Sequence, residues 1–153
     1  MRHAPAQCNV SVLSRCFICR ASAARVRHVQ ISLASLCLVY AAFMAKHFLC
    51  DYLLQTAWMV RGKGAVAGWR APLAAHAALH AAGTIAIALA TVPALAWLAL
   101  VDLAVHAAID RIKALSTRGL AFDRPQFWWA FGLDQSAHQA THFAFVIALV
   151  TRL

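Results

Sequence analysis

The chain has 153 residues, of which 63% are hydrophobic and 12% charged, whereas a soluble domain carries about a quarter charged residues. The formal charge of +9 comes from 14 Lys and Arg against five acids, all of them Asp. In a soluble protein that balance would suggest nucleic acid, but here the cations lie in the N-terminal arm and between the apolar runs, so the expected partner is the lipid bilayer and no nucleic acid.

Residues 1–29 hold Arg2, Arg15, Arg20, Arg25 and Arg27, no acid, and scattered Ser and Ala. They read as a disordered or amphipathic basic extension, and residues 30–153 as one transmembrane domain. Cys16-Phe-Ile-Cys19 is a lone C-x-x-C without a second pair or a nearby His, which does not make a metal site. The five cysteines form no framework of repeated spacing.

From residue 31 to about 56 the chain is apolar enough, and long enough, to cross a hydrocarbon core, which takes about 20 helical residues. The stretch 61–70, with three glycines and three cations, reads as a loop at the headgroups. The next run, from Pro72 to Ile109, contains no Lys or Arg and is nearly twice the length of one crossing. It is expected to fold back near Thr91-Val-Pro93, giving helices at 72–90 and 93–113. A second polar connection follows at 111–126, and residues 127–150 form the fourth helix. Trp58, Trp69, Trp128 and Trp129 stand at the edges of these runs, as in aromatic belts. The expected fold is therefore all-α, an integral membrane bundle of four transmembrane helices.

Four crossings bring the connections at 57–71 and 111–126 out on the same side. They carry Arg61, Lys63, Arg70, Arg111, Lys113, Arg118 and Arg124, which by the positive-inside rule places them in the cytoplasm, while the five arginines of the arm pull the other way.

Polar residues recur within the apolar runs at a spacing of four: His47, Asp51 and Gln55; His76 and His80; Asp102, His106 and Asp110, with Lys113; Asp134 with Gln135, His138 and His142. Residues four apart share a helix face, so each helix presents a polar stripe. Given the up-and-down path, all four stripes meet on the side of the basic loops, with Asp102 and His142 deepest. Ionisable groups within membrane helices are costly and usually face a bundle interior. A divalent metal (Zn, Fe or Mn) compensates such a set best, because imidazole and carboxylate are its ligands and facing helices supply them. The expected metal ligands are His47, His76, His80, His106, Asp110 and His138. Asp51 and Asp134 are expected as ligands or as groups acting beside the metal, and Lys46 is expected to face lipid.

On these motifs, residues 31–150 resemble the bacterial membrane-protein family called domain of unknown function 3307. The matching elements are His47-Phe-Leu-Cys-Asp51-Tyr-Leu-Leu-Gln55-Thr, Lys63, His76, His106-Ala-Ala-Ile-Asp110-Arg-Ile-Lys113 and Asp134-Gln135-Ser-Ala-His138. Tyr52 stands where the family's pattern calls for Phe, and the arm has no counterpart. The resemblance implies a multi-pass protein of the bacterial inner (cytoplasmic) membrane and supplies no activity. A looser similarity to membrane-bound metal-dependent hydrolases serves as analogy.

The leading expectation is an intramembrane metal-dependent hydrolase of a lipid-like or amphiphilic substrate. A bound metal would activate water, Asp51 or Asp134 would accept its proton, and Lys113 or Arg111 would hold a phosphate. The alternatives are a proton or metal-ion transporter lined by Asp102 and His142, and a non-catalytic scaffold whose polar network serves helix pairing. Four short helices also leave room for a homo-oligomer in which a second copy closes the site.

Overall fold

The computed structural model describes residues 30–153, so the basic extension and its C-x-x-C lie outside the described residues. The first helix, α1 (Leu33–Phe48), starts where Ser32 Oγ accepts from Ser35 N and runs through a largely apolar sequence to Lys46 and His47 in its last turn. It then widens into a π turn over Leu49–Leu53 and ends. Gln55 therefore falls beyond the helix and not on its stripe as expected. Thr56 restarts the chain as α2 (Ala57–Lys63), its hydroxyl accepting from Met59 N. The predicted headgroup loop thus begins as a short helix.

α3 spans Arg70–Thr91, with Pro72 in its first turn, where a missing N–H costs nothing. The reversal falls where it was expected: a 3₁₀ turn at Pro93–Leu95 leads into α4 (Leu98–Ser116). Gly119, at φ 76°, takes the left-handed backbone conformation needed in the next connection. Pro125 then opens α5 (Pro125–Val150).

α1 packs against α3 and α5, and α4 packs against the same two helices, so the four long helices close a ring in the order α1, α3, α4, α5. One end of the ring is apolar: Val39, Phe43, Ala88, Leu98, Phe145, Val146, Leu149 and Val150 form its core. At the other end the interior is polar. Among the fully buried side chains are His76, His80, His106, His142, Thr84 and Asp102, while Leu33, Leu100 and Leu133 are each at least 70% exposed. That reverses the usual order of a soluble protein, in which charged groups are the ones left outside.

Among the described residues, three segments are long and apolar enough to cross a membrane: Leu33–Leu53, Arg70–Thr91 and Pro93–Ser116. The fourth helix, at 26 residues, has the length. It falls short in hydropathy because Asp134, Gln135, His138, Gln139 and His142 share its middle.

Candidate metal centre

Each helix delivers its polar stripe to the inside of the ring. On α1, Val39, Phe43, Lys46 and His47 are buried, followed by Cys50 on the π turn, one stripe facing both neighbours. α3 contributes His76 and His80, α4 contributes Asp102, His106 and Asp110, and α5 contributes Asp134, His138 and His142.

The centre is the quartet Asp51, His76, His80 and His106, whose ligand atoms lie within 4.8 Å of one another. Asp51 Oδ1 stands 3.2 Å from His76 Nε2 and 3.1 Å from His80 Nε2, and His76 Nε2 stands 3.1 Å from His106 Nε2. Four ligands at zinc-like bond lengths of about 2.0–2.1 Å sit about 3.3 Å apart on a tetrahedron, and these separations are close to that. Two further groups adjoin the quartet: His47, His80 and His142 through His80, and His106, Asp110 and His138 through His106.

Hydrogen bonding alone does not satisfy the arrangement. His76 Nε2 faces Asp51 Oδ1, His106 Nε2 and, at 3.3 Å, Asp110 Oδ2. One ring nitrogen carries at most one proton, so it can serve only one of the three. A cation among them would accept all the lone pairs together. Gln55 places its amide nitrogen 3.1 Å from His76 Nδ1 and 3.2 Å from Nε2, a further polar contact on the same ring.

The carboxylates of Asp51, Asp110 and Asp134 share this interior with Lys63, whose Nζ donates to Asp110 Oδ2 at 2.8 Å, and with His138, whose Nε2 lies within 3.7 Å of Asp110 Oδ1 and Asp134 Oδ1. A divalent ion is one way to balance the remaining carboxylate charge.

The sequence-predicted residues divide as follows. His76, His80 and His106 are in the quartet and are joined by Asp51, which was expected as either ligand or base. His47 lies beside it, with Nε2 3.0 Å from Asp51 Oδ2. Asp110 and His138 form the adjoining group, and Asp134 Oδ1 lies 3.6 Å from His138 Nε2. Lys113 is outside the cluster, with its ammonium 5.4 Å from the centre of the Phe131 ring. Arg111 is committed elsewhere, 4.1 Å from the Trp69 ring centre and within 3.4 Å of the carbonyls of Lys63 and Ala65.

Lys46 corrects an expectation. It does not face lipid but is buried, donating to Asp102 Oδ2 at 2.8 Å and to Thr84 Oγ1 at 3.1 Å, while Thr84 Oγ1 donates to the same carboxylate oxygen at 2.6 Å. The sequence signal for this pairing is Gly83: a methyl there would stand 2.5 Å from Lys46 Cγ, so only glycine leaves the lysine room to pass.

A family model described as "Protein of unknown function (DUF3307)" matches residues 21–153. The chain belongs to this family. Family membership covers the four long helices and every residue of the centre, and it takes in residues 21–29, which the resemblance read from motifs did not reach. No curated protein and no solved structure matches the chain.

Proposed function

We propose that this protein is a multi-pass membrane protein in which four helices cross the bilayer and hold one divalent metal ion for the hydrolysis of an amphiphilic substrate near the headgroups. The observation that carries the reading is the quartet: four ligand atoms from α3, α4 and the π turn, spaced as a coordination shell. The exposed apolar helix surfaces and the buried polar interior support the membrane part, because lipid reverses what may be left outside.

When bound, such an ion polarises the scissile carbonyl or phosphoryl group and makes water a nucleophile near neutral pH. The chain's own residues supply the remainder. Asp51, His76, His80 and His106 hold the ion. Asp134 stands outside the quartet beside His138 and is the proton acceptor for the attacking water. Lys113, near Asp134 on the α4–α5 side, receives an anionic part of the substrate. Transport is less favoured, because Asp102, deepest in the polar interior, is held by both Lys46 and Thr84 on one oxygen and acts as a fixed tie between helices.

Elemental analysis of the detergent-purified protein tests this directly. About one equivalent of a transition metal per chain is expected, falling several-fold in His76→Ala and in His106→Ala. Asp134→Asn should keep the metal and lose at least ~100-fold in turnover of an ester or phosphoester amphiphile. Metal-free protein that tolerates Ala at His76, His106 and His138 refutes the reading.

A further inference from the structure

Between α4 and α5, on the connection side of the bundle, the structure contains a groove of about 540 Å³, within the size range of ligand sites. Its walls follow helical spacing: Ile109, Ile112, Lys113 and Ser116 on α4, and Trp129, Leu133, Asp134 and Ala137 on α5, with Leu120 from the connection closing one end. The lining is mainly apolar, with one unmet charge. Lys113 has no carboxylate within 4 Å among the described residues and only the Phe131 ring near its ammonium. Asp134 is 94% buried; its Oδ2 accepts from Gln135 Nε2 at 3.0 Å, while its Oδ1 has His138 Nε2 at 3.6 Å and nothing at hydrogen-bonding distance.

We infer that this groove binds a lipid side-on, its acyl chain lying along Ile112, Leu133 and Ala137, its anionic head group on Lys113 and a head-group hydroxyl or ammonium donating to Asp134. Each feature has a physical reason. An apolar trough between two helices with exposed apolar outer faces opens toward acyl chains. An ammonium without a counter-ion attracts a phosphate or carboxylate. A buried carboxylate oxygen whose nearest nitrogen is an imidazole at 3.6 Å gains from a donor that comes closer. The inference rests on the membrane part of the proposed function but not on the metal or on catalysis.

The test uses the full chain in nanodiscs of phosphatidylcholine doped with a diazirine-acyl phosphatidylglycerol, with the cross-linked residues mapped by mass spectrometry. Cross-links are expected to concentrate on Ile112, Leu133 and Ala137. Labelling there should fall several-fold in Ala137→Trp, which fills the trough, and in Lys113→Ala, with helicity unchanged. An excess of phosphatidylglycerol should compete and inorganic phosphate should not. Competition by millimolar phosphate alone, or labels spread evenly over the lipid-facing helices, overturns the inference. A chelator arm separates the two proposals: groove labelling that survives metal removal supports the groove whatever the metal result, and intact metal stoichiometry with even labelling removes the groove alone.

Discussion

At the scale of single residues, the pairing that most constrains the interior is Lys46 with Asp102. Both are buried and Thr84 completes the set, so each charge is compensated only by the others. Removing one partner of a buried pair leaves a bare charge and typically costs about 3–5 kcal/mol, while replacing both with apolar groups of similar size is often neutral or stabilising. Lys46→Met is therefore expected to lower the unfolding free energy in detergent by ~3–5 kcal/mol, and Lys46→Met with Asp102→Leu to recover most of it. A double variant as unstable as the single one would show that the pair is not isolated from the histidines. The identities in this interior were legible in the sequence, because four-residue spacing marks one helix face whatever the fold. The partners were not. Spacing of four from His47 left Lys46 on another face, but in a ring each helix touches two neighbours, so its inward face is wide enough to take positions 46 and 47 together.

At the scale of elements, two local departures from α-helix place the site. The π turn at Leu49–Leu53 carries Asp51 into the quartet and ends the helix, so that Gln55 reaches His76 from an extended stretch. π turns inside helices often occur at functional sites, and no periodicity argument anticipates one, because a single extra residue per turn is invisible in a pattern of fours. α2 is the second departure. The three glycines around it read as a loop, yet one of them serves approach: a Cβ on Gly62 would collide with Pro72 of α3, and beside this contact Lys63 extends to Asp110. Gly62→Ala should force α2 off α3. The expected cost is ~1–3 kcal/mol of overpacking, visible as a lower melting temperature in detergent. Tighter metal retention should accompany it, because an Asp110 without its ammonium partner leaves the site more negative. Lys63→Met, which leaves the backbone contact intact, should reproduce the metal effect with little of the packing loss.

At the scale of the whole molecule, the question is whether α5 crosses the membrane with the others. Average hydropathy counts Asp134, Gln135, His138, Gln139 and His142 against it, and by that measure only three segments qualify. Lipid, however, meets a surface and not an average. Asp134, His138 and His142 are buried, while Leu133 and Phe143 are exposed, so the outer face of α5 is more apolar than its sequence as a whole. α5 also contacts α1 and α4 on opposite sides, and leaving the bilayer would open the ring and bring the histidines of α1 and α3 to the hydrocarbon. Four crossings are thus expected, with the connections around Val66 and Arg118 on one side and the C-terminal end on the other. Single cysteines at Val66, Arg118 and Arg152, placed in a chain whose own five cysteines are replaced by serine, report this in sealed vesicles through a membrane-impermeant thiol reagent. Val66→Cys and Arg118→Cys should label together and Arg152→Cys oppositely. If all three label from the same face, α5 does not cross, and the expectation of four crossings is overturned.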